Sequence, residues 1–233
     1  GTNFCGYQVQ PNKRTVQSEL ENAITLVTGE AVKTVASGRT DSGVHAYGQA
    51  VNFKTYSTIP AEKLATALNT VLPGDVKVLS SEKVPLDFNA RFNAKRKTYE
   101  YSCYVSSVIK PLKDRYSTRI QTEVDINLIE NACKVLVGEH DFKCFLSSGS
   151  SVKTTTRTIY EATVVKNGEN LTFTFTGNGF LYNMVRIMVG TLLDIGAGKK
   201  DLSSLILALE TGDRKLVGKT MDARGLSLIS VNY

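Results

Sequence analysis

The sequence predicts an α+β protein built from two split-βαβ units, of the kind found in ferredoxin-like and RNA-recognition folds, forming a mainly antiparallel sheet with helices and a cleft between the units. Three observations predict it. Hydrophobic periodicity alternates between strand-like and helix-like in the order (β)αββαβ over residues 1–88 and βαββααβ over residues 89–233. Asn167-Gly168 stands between two alternating segments, a strong hairpin signal. The formal net charge of +6 lies wholly in residues 89–233, since residues 1–88 are balanced. A neutral N-terminal unit therefore precedes a basic C-terminal one.

The elements follow in chain order. Thr15 is the N-cap of a helix over 16–28, with Val16, Leu20, Ile24 and Val27 on one face and Gly29 as its stop. Residues 31–36 and 49–54 alternate with period two and read as neighbouring strands. A second helix begins near Pro60, runs through Leu64, Leu68 and Val71, and ends at Pro73-Gly74, before a strand through Val76 and Val78. The first strand of this unit is expected upstream of Gly1. In the second unit, a strand over 97–105 precedes a helix over about 126–137 capped by Asp125 and the hairpin turning at Asn167-Gly168. An apolar helix at 181–195, a shorter one at 201–210 and a strand at 226–231 complete it.

Between the strands of the first unit, Ser37-Gly38-Arg39-Thr40-Asp41-Ser42-Gly43-Val44-His45-Ala46-Tyr47-Gly48-Gln49 places an acid, two candidate cationic partners and three glycines in one short stretch. Glycines at 38, 43 and 48 permit positive φ and close approach by a ligand or a second segment of chain. Loops on such scaffolds carry catalytic groups. The competing reading is a long hairpin in which Asp41-Ser42-Gly43 is an ordinary turn and Arg39 is solvated.

Composition removes several classes. With 42% hydrophobic residues the chain has ample material for a core. No apolar run reaches the length of a membrane span, and the first residues do not look like a secretory signal, so a cytoplasmic protein is expected. Cys5, Cys103, Cys133 and Cys144 show no paired spacing, and with His45 and His140 they form no zinc-ligand pattern. Reduced thiols and no structural metal are expected. There is no GxxxxGK[ST] phosphate loop and no HxE with PCxxC, which sets aside P-loop hydrolysis and zinc-dependent base deamination. His45 is too isolated to anchor a serine triad. What remains is cofactor-free chemistry built on one carboxylate.

Arg91, Lys95, Arg96 and Lys97, followed by Lys110, Lys113, Arg115 and Arg119, are interleaved with Tyr99, Tyr101, Tyr104 and Tyr116. Cations with aromatics suit phosphates with bases, although a solvated basic face on an ordinary enzyme fits the same residues. Leu181 to Leu193 is an apolar helical pattern with one charge, Arg186, which requires a partner. Asp41 is the best candidate, and pairing would keep it ionised and oriented as a nucleophile requires. Snorkelling at the helix edge, or a structural pair with Asp194 or Asp222, are the alternatives. Tyr99 lies on the strand after the basic cluster. It serves either as core packing or as a phenol that stacks on a base or accepts a proton.

Six blocks of the chain, in register, resemble the TruA-type tRNA pseudouridine synthases. They are Gly1-Thr2-Asn3-Phe4-Cys5-Gly6-Tyr7-Gln8 with Arg14-Thr15-Val16-Gln17; Gly38-Arg39-Thr40-Asp41-Ser42-Gly43-Val44-His45-Ala46; Phe88-Asn89-Ala90-Arg91-Phe92 with Lys97-Thr98-Tyr99; Gly138-Glu139-His140-Asp141-Phe142; Gly179-Phe180-Leu181-Tyr182-Asn183-Met184-Val185-Arg186; and Gly225-Leu226-Ser227-Leu228. The resemblance implies isomerisation of uridine to pseudouridine in the anticodon stem-loop of tRNA, at positions 38, 39 and 40, by base flipping and without metal or cofactor. It carries the nucleophile onto Asp41, the active-site tyrosine onto Tyr99, the arginine paired with the aspartate onto Arg186, and a residue that stabilises the displaced nucleotide onto Arg39. RNA contacts fall on Arg91, Lys95, Arg96 and Lys97, and a homodimer is implied. The chain departs from the common pattern at Tyr7, where tryptophan or a similar aromatic is usual and tyrosine still supplies a ring. It also departs at Asn183, where histidine is frequent, and at Lys219-Thr220-Met221-Asp222, where small residues and proline are usual. The rival from another class is an RNA-binding or tRNA-chaperone protein on the same scaffold without turnover.

Overall fold

The computed structural model describes residues 1–149 and 152–233. The chain divides into two units, one of residues 1–43 with 49–94 and the other of 44–48 with 95–233.

In the first unit, α1 (Val16–Thr28) starts with a reciprocal box in which Ser18 N donates to Thr15 Oγ1 and Thr15 N donates to Ser18 Oγ, both at 3.3 Å. It stops at Gly29, whose φ is +76°. Strand β1 (Val35–Ala36) is followed by β2 (His45–Ala46), which belongs to the second unit, and by β3 (Val51–Asn52), antiparallel to β1. Helix α2 (Ala61–Val71) then packs Leu64, Leu68 and Leu72 against Ala23 and Ile24 of α1.

The strands expected over 31–36 and 49–54 shrink to these two-residue pairs, because side chains take the backbone groups a ladder would use. Glu21 of α1 accepts from Thr34 N at 2.8 Å, inside the first stretch, and the Glu30 carboxylate accepts from Tyr56 N at 3.0 Å, just beyond the second. Val76 to Val78 forms no strand. Val78 N donates to Asn69 Oδ1 at 2.8 Å and Asn69 Nδ2 donates to Val78 O at 2.7 Å, so one amide side chain does the pairing that a neighbouring strand would have done.

The second unit holds a seven-stranded sheet. It comprises β2, β4 (Arg96–Val105), β5 (Thr118–Ile120), β6 (Gly138–Asp141), β7 (Thr156–Asn167), β8 (Asn170–Gly177) and β9 (Leu226–Asn232), in the order β2-β9-β4-β8-β7-β6 with β5 paired to β4. The β2·β9 and β4·β5 pairs are parallel and the others antiparallel. A short helix α3 (Pro111–Asp114) precedes β5, α4 (Ile126–Leu136) is capped by Asp125, and α5 (Met184–Gly196) and α6 (Leu202–Thr211) follow the β7·β8 hairpin. That hairpin turns at Asn167-Gly168 as the sequence predicts, with Gly168 at φ +58°. One face of the sheet buries Tyr99, Tyr101, Cys103, Leu171, Phe173, Phe175, Leu226 and Leu228 with nearly the whole of α5 and the inner faces of α4 and α6. The expected α+β class holds. Elements α3, β5 and β6 were not expected, since each is too short to show a period. Among the described residues no helix is long and apolar enough to cross a membrane.

Candidate active site

In the first unit the segment carrying Arg39 and Asp41 is tied down at both ends. Ser37 is fully buried; its N donates to Ala50 O at 2.8 Å and its Oγ to Gln49 Oε1 at 2.6 Å, while Gln49 Nε2 donates to Gly38 O at 2.7 Å. Further along, Tyr7 N donates to Thr40 O at 3.0 Å, and Ser42 Oγ and Gly43 N donate to Phe4 O at 3.2 and 3.4 Å. Asp41 is partly buried and is thus flanked by residues bonded to the 4–7 segment, whereas Arg39 is exposed. Gly6 lets that segment come close, and Gly43 turns the chain with φ +82°. The 4–7 segment is itself anchored. Arg14 N donors bind Asp75 at 2.8 and 2.9 Å and Glu19 at 2.6 Å, and its guanidinium lies 4.2 Å from the Phe4 ring centroid. This fork holds the Asp75 carboxyl down at about 2.

Two residues beyond Gly43 the chain enters β2, where His45 pairs in register with Ser227 and Ala46 with Leu228 of β9. His45 is buried, with its ring 4.8 Å from that of Tyr116.

Tyr99 and Arg186 belong to the second unit. Tyr99 faces the core from β4, opposite Phe175 and Leu228, and meets the edge of Phe180 at 5.1 Å between ring centroids. Arg186 lies in the first turn of α5 and is partly buried. Its Nε donates to Met221 O at 2.6 Å and its Nη1 to Asn183 Oδ1 at 2.6 Å, while Met221 N donates to Arg186 O at 3.2 Å. The sequence singled out Arg186 but not these neutral acceptors. Of the carboxylates considered as structural partners, Asp222 gives its backbone carbonyl to Tyr101 Oη at 2.7 Å and lies 3.9 Å from Arg224 Nε.

The basic cluster is dispersed by strand geometry. Arg91 is exposed in the first unit beside Phe92, and Lys95 begins the second unit, with its N donating to Asn232 O at 2.8 Å. Along β4 the period of two places Lys97 on the side of Tyr99 and Arg96 on the other, where its guanidinium is 4.8 Å from the Tyr160 ring centroid. Tyr101 and Tyr104, candidates for stacking on bases, are fully buried in the core. Burial pushes the Tyr101 phenol up.

The model describing the tRNA pseudouridine synthase family matches residues 1–93 and 132–233, which include Asp41 and Arg186 but not Tyr99. Relatives cover the whole chain. The tRNA pseudouridine synthase A of Caldicellulosiruptor bescii is 45% identical over 233 residues, all of this chain and 96% of its own length. That of Anoxybacillus flavithermus is 46% identical over all of this chain and 95% of its own, and that of Clostridium acetobutylicum 44% over all of this chain and 96% of its own.

Proposed function

The chain belongs to the tRNA pseudouridine synthase family, whose members are isomerases, and from that premise we propose that it converts uridine to pseudouridine at positions 38, 39 and 40 in the anticodon stem-loop of tRNA. Asp41 is the nucleophile, Tyr99 packs on the target base and accepts its proton, Arg186 orients the charge of the site, and Arg39 supports the displaced nucleotide. The cations of Arg91, Lys95, Arg96 and Lys97 meet the phosphates. The target base leaves the stack at a cost of a few kcal/mol that phosphate contacts offset. The protein acts as a homodimer.

The reaction breaks N1–C1′, turns the uracil within the site and joins C5 to C1′; the hydrogen on C5 is then lost and N1 gains one, so the product is an isomer. Addition of the carboxylate at C6, attack at C1′, and a glycal formed by removal of the 2′ proton all satisfy this balance. Each requires a carboxylate that stays in place through several steps. The observation that supports Asp41 in this role is its tethering: Thr40 O, Ser42 Oγ and Gly43 N are fastened to Tyr7 N and Phe4 O by three hydrogen bonds.

Tritium release from unmodified tRNA carrying C5-tritiated uridine tests the reading, with wild type and Asp41→Ala in parallel and the modified positions mapped. Release by the wild type alone, mapping to the anticodon stem-loop, is expected. Activity in Asp41→Ala near that of the wild type would remove the nucleophile. Tight tRNA binding with no release by either protein would leave an RNA-binding protein without turnover.

A further inference from the structure

Asn183 is one of two non-glycine residues with positive φ among the described residues, at φ +62° and ψ +5°, and it stands at the N-cap of α5. An asparagine there ordinarily adopts an extended backbone and accepts from the amides two or three residues on. Asn183 makes no such bond. Its left-handed backbone, which asparagine tolerates better than most residues, is combined with a side chain bonded at both ends elsewhere. The oxygen accepts from Arg186 Nη1 at 2.6 Å and Nδ2 donates to Ser147 Oγ at 3.0 Å. A guanidinium only donates, so the atom facing it must be the amide oxygen. Ser147 is held in turn, its N donating to Tyr182 O at 3.3 Å.

The cap interaction has thus been given up for a bond to Arg186. A second, independent contact points the same way, because Met221 O takes Arg186 Nε at 2.6 Å. These two acceptors address different nitrogens of one planar group and so restrict both its position and its rotation. Local strain that persists only because surrounding bonds hold it is a mark of a working site.

We propose that Asn183 is a positioning residue that fixes the guanidinium of Arg186 and links it to the 146–149 segment through Ser147. The catalytic consequence rests on the isomerase reading above. Asn183→Gly is the deciding variant, since glycine keeps the left-handed backbone without strain and deletes only the carboxamide. Asn183→Asp returns an acceptor oxygen.

Two readouts are needed on the full chain. In the first, 15N-edited NMR of the Arg186 guanidinium, assigned with Arg186→Lys, restricted Nη rotation in the wild type is expected to be lost in Asn183→Gly and regained in Asn183→Asp. In the second, kcat for pseudouridine formation is expected to fall about tenfold or more in Asn183→Gly with KM for tRNA within about twofold, and to recover in Asn183→Asp. Unchanged Nη rotation in Asn183→Gly overturns the proposal. So does an active wild type whose kcat survives Asn183→Gly. An inactive wild type whose Nη rotation still responds to Asn183→Gly overturns the isomerase reading and leaves the positioning role standing.

Discussion

The backbone of Gly6 lies directly against that of Asp41. A methyl group at position 6 would stand 3.3 Å from the Asp41 carbonyl carbon, 2.8 Å from Thr40 O and 3.2 Å from Ser42 N, and it would meet only main chain, which has nowhere to yield except by moving the loop. The φ of +86° at Gly6 adds its own demand for glycine.

Gly6→Ala is therefore expected to displace the Asp41 loop, lowering the turnover rate about a hundredfold and stability by about 1–3 kcal/mol. Gly29→Ala provides the comparison. Its φ of +76° is equally left-handed, but a Cβ there meets nothing within 4 Å. It should lose about 1 kcal/mol of stability and no activity. Thermal unfolding and tritium release on the two variants separate backbone strain from displacement; equal activities would show that Gly6 does not set the position of Asp41.

A similar close approach sets the position of segment 218–221 within the second unit. A Cβ on Gly190 of α5 would collide with Lys219 O, and Gly218 N donates to the buried Thr191 Oγ1 at 2.8 Å. Segment 218–221 is thereby laid along α5 in the one register that brings Met221 O to Arg186 Nε. Gly190→Ala should push this segment away and reduce both stability and kcat. Thr191→Val should leave Gly218 N buried without its acceptor, at a cost of about 1–3 kcal/mol. A crystal structure of Gly190→Ala with the Met221–Arg186 bond intact would contradict this account.

Much of this architecture was legible in the sequence, and the part that was not has identifiable causes. Thr15, Gly29, Asp125 and Asn167-Gly168 are local signals whose partners lie within a few residues, and each marks the element it predicted. The α5 helix begins at Met184 rather than 181 because Asn183 is left-handed, a conformation no periodicity reveals. The shortened strands of the first unit have their hydrogen bonds diverted to Glu21, Glu30 and Asn69, side chains that read as ordinary helix or loop surface. For Arg186 the sequence shows a charge on an apolar helix but not the neutral groups that bond it. Its neutral acceptor Met221 is 35 residues away, and a backbone carbonyl leaves no trace in composition.

The alternation of β4 makes the basic residues distinguishable. With phosphates meeting both cations, Lys97→Gln on the side of Tyr99 and Arg96→Gln on the opposite face over Tyr160 should each lower the slope of log affinity against log salt by about 1. Filter binding or fluorescence anisotropy over a range of salt concentrations measures both. A slope changed only by Lys97→Gln would confine the phosphates to the Tyr99 side and take Arg96 out of the interface, and one changed only by Arg96→Gln would do the same for Lys97.

His45 gives the fold a dependence on pH. Its side chain is 8% exposed, Nε2 has no hydrogen-bond partner, and burial lowers the imidazole below its ordinary 6.5. The neutral ring lies against Tyr116, and protonation would place there a charge whose Nε2 has no acceptor and which the Arg115 cation opposes. Because the folded value lies below the unfolded one, the unfolded chain takes up this proton first as pH falls. Stability is complete above pH about 6.5 and declines as pH falls towards the folded value. Melting temperatures between about pH 8 and about pH 5 for wild type and His45→Gln isolate the effect, since the two proteins differ only in this side chain. The wild type should lose stability more steeply than His45→Gln below pH about 6.5, and parallel curves would show that the imidazole is protonated as readily in the folded chain as in the unfolded one.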